Sequence, residues 1–248
     1  MFKKYSEYYD YIYKDKNYKK ESKYISKLLK LNKKDSVLDI GCGTANHAIY
    51  LSRKVKFLVG IDKSKSMVSI AKKKVLKKKL NNKILIILND ITKKNINFNF
   101  NKAIMMFHAL CYLNKDNEIK NFFKFTSKML PKNGILICDY WNKDAVNKYG
   151  LKSTKKIIKE KDRKIIRFGK PLKSKIKKIK KIKFTIKYFY KNKKIKEFSE
   201  IHNMRPFSKK DILKYSNKYF YLYKNCKYYN QKPATNKDWT SITILKKK

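Results

Sequence analysis

Short apolar runs recur through residues 36–141, and polar segments with helical spacing separate them. Such runs, bounded by turn residues, favour buried strands. They predict strands near 36–40, 57–61, 84–88, 103–107 and 134–140. The intervening segments predict helices at 64–79, with Ser64 as N-cap, and at 116–129. The alternation predicts an α/β fold whose mostly parallel sheet carries helices on both faces.

Both flanks of this region have a different pattern. Residues 1–35 have apolar positions at helical spacing and predict an N-terminal helical cap. Residues 142–207 contain strict alternation over 182–190, a polar turn and a return through 204, which predicts a hairpin within a three- or four-stranded antiparallel insertion. One face of that sheet is apolar, so we expect it to cover another part of the protein as a lid. Residues 208–248 predict a helix that starts in a capping box at Ser208, and two closing strands near 219–224 and 239–245.

The net charge is +48, from 66 basic and 18 acidic residues, and 21 of the basic residues lie within 152–196. A field of that strength attracts polyanions. Only four of the basic residues are arginine, the residue most used for bidentate phosphate and base contacts. The abundant Lys, Asn, Ile, Tyr and Phe all have A/T-rich codons, so codon drift explains the bias. Nucleic acid is therefore disfavoured as a partner without being ruled out.

The cysteines and the apolar segments indicate a compartment. Cys42, Cys111, Cys138 and Cys226 form no C-x-x-C pair and lie in or beside apolar segments, so we expect reduced, mostly buried thiols and no metal site. The sequence has no apolar run of membrane-spanning length, and its first residues lack the apolar region of a secretory signal. These features predict a cytoplasmic protein.

A glycine turn follows the first strand and carries the most specific chemistry. Gly41 and Gly43 stand one residue apart within Asp39-Ile40-Gly41-Cys42-Gly43-Thr44-Ala45, in a chain with only six glycines. Glycine admits positive φ and lets a ligand approach the backbone. The turn lacks the Gly-Lys-Ser/Thr of a P-loop, and Asn46 stands where a dinucleotide fingerprint requires a third glycine.

The pattern acid-x-G-x-G-x-A resembles motif I of class I S-adenosylmethionine-dependent methyltransferases. The resemblance implies a Rossmann-like, mostly parallel seven-stranded sheet with S-adenosylmethionine as cofactor. It places Gly41 and Gly43 beneath the methionine part and Asp39 near its ammonium group. Asp62, at the end of the second strand, is then expected at the ribose hydroxyls.

The resemblance also implies further contacts with the cofactor. The adenine is expected beside Asn89, Asp90 and Ile91, which follow the third strand. Either Tyr11 or Tyr13 is expected to close over the sulfonium end. Other cofactor-binding candidates lie in or beside the same motifs: Cys42, Thr44, His47, Lys63, Met67 and Phe107.

Four further segments make nearly the whole chain similar to nucleotide-sugar N-methyltransferases of surface-polysaccharide pathways. They are Tyr8-Tyr9-Asp10 with the tyrosines that follow it, Phe107-His108 with Tyr112, Asp139-Tyr140-Trp141, and His202 with Met204-Arg205. Cys111 departs from the serine of that group. The resemblance implies methyl transfer to an amino or hydroxyl group of a small molecule, with a nucleotide sugar as one candidate.

The three histidines supply the candidates for proton transfer. His108 follows the fourth strand, near the expected methyl position, and is a general-base or substrate-orienting candidate. His202 and Arg205 end the insertion, where Arg205 is a candidate ligand for a substrate phosphate or carboxylate. The structural alternatives are a histidine bonded to backbone at 108 and an anchoring role for 202 and 205.

Two other functions remain open at this stage. An RNA or protein methyltransferase would use the lysine-rich insertion to bind its substrate, although the sequence shows no separate RNA-binding domain. A catalytically silent binding protein would keep the fold alone, which the acids at 39 and 62 and His108 argue against. The sequence leaves a monomer and a homodimer equally open.

Overall fold

The computed structural model describes residues 4–248, and its centre is a seven-stranded sheet in the order β10-β11-β5-β4-β1-β2-β3. Strands β1 to β5 are parallel, whereas β11 pairs antiparallel with both β5 and β10. This arrangement is the class I methyltransferase fold that the resemblance implies. The strands are β1 Ser36–Ile40, β2 Phe57–Asp62, β3 Ile84–Leu88, β4 Lys102–Met105, β5 Ile135–Trp141, β6 Thr154–Glu160, β7 Arg163–Leu172, β8 Lys180–Tyr190, β9 Lys193–Met204, β10 Phe220–Lys227 and β11 Thr240–Lys247.

Helices cover both faces of the sheet, as the alternating pattern predicts. Because β1 and β2 lie inside the sheet with both faces covered, their side chains are almost all buried. One apolar cluster includes Leu38 and Phe122, and a second on the other face includes Val37 and Ala48. The helices are α1 Tyr5–Ile12, α2 Tyr18–Leu29, α3 Asn46–Leu51, α4 Lys65–Lys77, α5 Asp116–Lys128, α6 Lys143–Tyr149 and α7 Lys209–Ser216, with a 3-10 turn at Ala109–Tyr112.

Strands β6 to β9 form a separate four-stranded antiparallel sheet, the lid sheet. Its inner face carries Ile158, Ile165 and Ile186, which pack against Tyr5 and Ile12 of α1. The apolar face that the sequence predicts is therefore buried, and the element beneath it is the N-terminal helix.

Helix α1 is tied directly to the glycine turn. The carboxylate of Asp10 accepts hydrogen bonds from Thr44 Oγ1 at 2.7 Å and Asn46 Nδ2 at 2.9 Å. Its second oxygen lies 2.9 Å from the ammonium group of Lys74 on α4. This contact fixes the N-terminal segment across the mouth of the turn.

Two local expectations were wrong. The fourth strand ends at Met105 rather than at 107, because Phe107 and His108 have φ of 60° and 59° and turn the chain. The insertion also begins with α6, whose N-cap Asn142 accepts from the Asp144 amide; no helix was expected there. The capping box at Ser208 and the N-cap at Ser64 are confirmed. None of the helices within residues 4–248 is long and apolar enough to span a membrane.

Candidate active site

At the carboxyl end of β1, the glycines of the turn have no side chains to cover the backbone. Gly41 and Gly43 have φ of 68° and 55°, values that side chains disfavour. A Cβ on Gly43 would meet nothing within 4 Å, whereas one on Gly41 would lie 3.0 Å from the Ala109 Cβ. Gly43 therefore borders open space, and Gly41 lets the loop after β4 pack closely.

Asp62 fastens the turn to the end of β2. Its carboxylate accepts hydrogen bonds from the Gly43 amide at 3.0 Å and the Ser64 amide at 2.8 Å. Burial raises the pKa of Asp62, although these amides oppose the shift. Each carboxylate oxygen keeps a second lone pair, so Asp62 can still accept hydrogen bonds from a ligand.

Asp39 is a buried carboxylate whose Oδ2 has no hydrogen-bond partner among residues 4–248. Burial, together with the nearby Asp62 carboxylate, raises the pKa of Asp39 to about 8. Asn89 Oδ1 is likewise buried without a donor in the described chain. Buried acceptors of this kind are normally satisfied, so the turn offers unfilled positions for a polar, cationic ligand.

These residues line a cavity of about 320 Å³, the first cavity, at the carboxyl ends of the parallel strands. Thirteen of the fifteen predicted cofactor residues line it, all except Tyr11 and Tyr13. They lie at or after the ends of the first four strands: Asp39, Gly41, Cys42, Gly43, Thr44, His47, Asp62, Lys63, Met67, Asn89, Asp90, Ile91 and Phe107.

The structure adds residues that the sequence analysis missed. Tyr9 and Tyr18 line the first cavity from the N-terminal helices. Glu21 of α2 is buried, with Oε2 2.8 Å from His47 Nε2, and it also pairs with Lys16. Burial alone would raise the pKa of Glu21, but these two partners hold it below its usual range. The sequence did contain a signal for Glu21, since it lies three residues after Tyr18 and therefore on the same face of α2.

A second cavity of about 510 Å³ lies between the core and the lid sheet. Tyr9, Phe107 and Tyr112 line both cavities, so the two spaces share an aromatic wall. The rest of the second cavity comes from α1, the end of β5, the segment after α6, the inner face of the lid sheet and Trp239.

The structure places the predicted base His108 on the wall of the second cavity, beside Trp141. Its amide donates to Asp139 Oδ1 at 2.7 Å, and its Nε2 lies 3.0 Å from Thr240 Oγ1. Burial lowers the pKa of His108 to about 4, so the ring is neutral at physiological pH. A neutral imidazole can accept a proton or a hydrogen bond.

His202 and Arg205 are separated by the structure. His202 lines the second cavity, and its Nδ1 lies 2.8 Å from the Tyr112 hydroxyl. Arg205 lines neither cavity: its guanidinium donates to Asp116 at 2.6 Å and to Tyr215 at 2.9 Å, and its side chain is 4% exposed. Its amide also donates to the Cys111 carbonyl at 2.7 Å. These contacts favour the anchoring role, because the charge that was to bind substrate is already paired.

The two candidate tyrosines also differ. Tyr13 lines the second cavity, with its ring 5.0 Å from that of Phe107. Tyr11 lines neither cavity and donates its hydroxyl to the Arg163 carbonyl at 3.1 Å on the lid sheet. Of the pair, only Tyr13 therefore lies beside the shared wall.

A seven-stranded sheet of this order, with a glycine turn and two acids at its strand ends, defines a class I methyltransferase fold. The family described as a methyltransferase domain matches residues 37–134, which include the turn and both acids. Residues 37–134 therefore match a methyltransferase domain, and the fold around them is that of class I methyltransferases, in agreement with the resemblance.

Individual relatives are similar over different parts of the chain. A phosphoethanolamine N-methyltransferase of Plasmodium falciparum is 33% identical over 113 residues, 45% of this chain and 41% of that protein. The chain spans about half the length of the curated relatives it matches.

Solved structures share the fold over almost their whole length. An S-adenosylmethionine-dependent methyltransferase from Clostridium acetobutylicum is 23% identical and has a TM-score of 0.77, with 98% of this chain and 97% of that chain covered. CalS10, an amino pentose methyltransferase from Micromonospora echinaspora, is 13% identical and also has a TM-score of 0.77, with 100% and 98% covered. Because both identities are low, these likenesses extend the fold assignment through the lid sheet and do not assign a substrate.

Proposed function

We propose that this protein transfers a methyl group from S-adenosylmethionine to an amino group of a small molecule held in the second cavity. The observation that carries the proposal is the aromatic wall of Tyr9, Phe107 and Tyr112, which borders both cavities. A donor on one side and an acceptor on the other would meet at this wall. Relatives named for phosphoethanolamine and for an amino pentose support an amine as acceptor.

The first cavity has groups that suit each part of the cofactor. Asp39, with its unpaired buried oxygen, would hold the ammonium group of the methionine part, and Asp62 would accept from the ribose hydroxyls. Asn89 and Asp90 would flank the adenine. The cofactor supplies an activated methyl group on a positive sulfur, and the rings of Tyr9 and Phe107 are suited to border that charge.

The residues of the second cavity would position the acceptor. In-line methyl transfer depends chiefly on holding the reacting atoms in place. His108 is neutral and faces the second cavity, so it would orient the acceptor amine or accept its proton. The lid sheet forms one wall of this space, which favours a small acceptor over a folded polymer.

Calorimetry and an acceptor screen test the proposal. We expect saturable binding of S-adenosylmethionine and its demethylated product, but not of NAD. The methylation rate is then measured with phosphoethanolamine, an amino-sugar nucleotide and structured RNA. Methyl transfer to a small amine supports the proposal. Transfer to RNA alone, with a steep salt dependence, would contradict it and assign the lysine-rich insertion to substrate binding.

A further inference from the structure

We propose that the methyl acceptor carries a phosphate group and that Arg167 of the lid sheet binds it. This inference rests on the proposed function, because it concerns the same second cavity. Arg205, the candidate anion ligand from the sequence, has its guanidinium paired with Asp116. Arg167 is the arginine that lines the second cavity.

The wall of the second cavity is positively charged. Arg167 and Lys152 both line the second cavity, and none of the described residues that line it is an aspartate or a glutamate. Lys156, opposite Arg167 on the neighbouring strand, is paired with Asp15 at 2.6 Å. Arg167 has no carboxylate within 4.0 Å among residues 4–248. The inner face of the lid sheet therefore presents an uncompensated cation to the cavity.

The Arg167 guanidinium is held by neighbouring rings and keeps one donor without an acceptor in the described chain. Its Nη1 donates to the Tyr13 hydroxyl at 2.9 Å, and the Tyr5 hydroxyl lies 3.5 Å away. The ring of Phe184 lies 5.1 Å from its Cζ. Its Nε is buried, and no described residue accepts from it. A buried, unsatisfied N–H on a charged group is costly, and an oxyanion would satisfy it.

The charge of this wall also bears on the reacting amine. A cationic wall without carboxylates disfavours a second positive charge nearby. The ammonium form of an acceptor amine would find no carboxylate to pair with among the described residues of this wall. A phosphate on the acceptor would be attracted to Arg167, whereas an ammonium group has no such partner on this wall. The acceptor class is thus a phosphate-bearing amine.

Binding of inorganic pyrophosphate to protein saturated with the demethylated cofactor tests the inference. Three proteins are compared by calorimetry at about 150 mM salt, which screens exposed charges: the wild type, Arg167→Gln and Arg163→Gln. The last is the matched control, because Arg163 lies on the same strand, is exposed and is outside the cavity. We expect Arg163→Gln to bind like the wild type and Arg167→Gln to bind about 10- to 100-fold more weakly.

Several results would overturn the inference. Equal weakening in both variants would mean that pyrophosphate binds through general charge, and unchanged binding in Arg167→Gln would remove Arg167. Acetate binding as tightly as pyrophosphate would replace phosphate by carboxylate. Should Arg167→Gln fail to fold, Arg167→Lys is compared: it should bind pyrophosphate more weakly than Arg163→Gln because lysine lacks the Nε donor, and wild-type affinity would remove the Arg167 guanidinium as the phosphate ligand. Failure of the proposed function is distinct, since it would appear in the wild type as absent cofactor binding or as methyl transfer to RNA alone.

Discussion

The two cavities are built in opposite ways. The first cavity is lined by residues at the ends of β1 to β4 and carries carboxylates, among them the buried Asp39 and the half-buried Asp62. The second cavity is lined by aromatic rings and two basic groups from segments far apart in sequence. Its lining includes α1 at one end of the chain and Trp239 near the other. Acids around one ligand and bases around the other suit a cationic donor and an anionic acceptor.

This difference gives the shared aromatic wall a physical role. The carboxylates would bind the cofactor and the cations would bind the acceptor, so the two ligands would meet at the wall. The wall itself is uncharged, since it consists of Tyr9, Phe107 and Tyr112. The reacting groups would therefore meet no carboxylate there. Substitutions on each side should therefore have separable effects on binding of the cofactor and of the acceptor.

The largest expected effect is on the first cavity, from Asp62→Ala. This change removes the acceptor for two backbone amides as well as for the ribose hydroxyls. We expect cofactor binding to weaken by about 1–3 kcal/mol, the scale of lost charge-assisted hydrogen bonds. Calorimetric titration measures it, with the exposed Asp162→Ala as control. Near-wild-type affinity would contradict the placement of the cofactor.

The first cavity was predictable because its residues are close in sequence. The strand, turn and helix from Asp39 to Asn46 fix the glycine turn, and the next two strand ends follow at similar spacing. The carboxyl ends of adjacent parallel strands must meet at one edge of the sheet, so the local sequence determines which residues line the site. Tyr9 and Tyr18 were missed because the docking of α1 and α2 depends on contacts such as that of Asp10 with Thr44.

The second cavity was less predictable because non-local pairing assembles it. Alternation predicted the lid hairpin, but both faces of β7 carry apolar residues: Ile165 points inward and Ile166 lies on the opposite face. The sequence alone therefore could not decide whether Arg167 faces the cavity or solvent. For the same reason it could not separate Arg167 from Arg205, whose partner Asp116 lies on α5.

Next in size is a loss of stability in Arg205→Met. The change removes hydrogen bonds to Asp116 and Tyr215 from a buried side chain. We expect the free energy of unfolding to fall by about 2 kcal/mol and the melting temperature by about 4–8 °C. Affinity for pyrophosphate should stay unchanged at a temperature where the variant is folded. Weakened pyrophosphate binding with an unchanged melting temperature would restore Arg205 as the anion ligand.

A smaller effect is expected for His108→Asn, which tests the acceptor side of the wall. Asparagine tolerates the left-handed backbone at this position, so the fold should be kept. We expect about 10- to 100-fold slower turnover with unchanged cofactor affinity, because the imidazole faces the second cavity. Initial rates at saturating acceptor and cofactor measure it. Unchanged turnover would remove His108 from the mechanism and leave it a structural contact of Asp139 and Thr240.

The last expected effect concerns Asp39 and the stability of the ligand-free protein. Its pKa is about 8 when folded and near 3.8 when unfolded, so the unfolded state releases its proton first. Asp39 therefore lowers the free energy of unfolding progressively as pH rises from about 4 to about 8. We expect Asp39→Asn to raise the melting temperature of the ligand-free protein by a few degrees near pH 8 and little near pH 5, while it weakens cofactor binding.

Proton release provides the matching measurement on the wild type. A cationic ammonium beside Asp39 favours the ionised carboxylate, so cofactor binding near pH 7 should expel a proton. Titrations in buffers of different ionisation enthalpy count the protons released, and Asp39→Asn should release fewer. Equal release by both proteins would place the cofactor ammonium elsewhere. Asp39 would then destabilise the protein without binding the cofactor. The contrast between an acidic cofactor cavity and a basic acceptor cavity would lose the residue that supports it most.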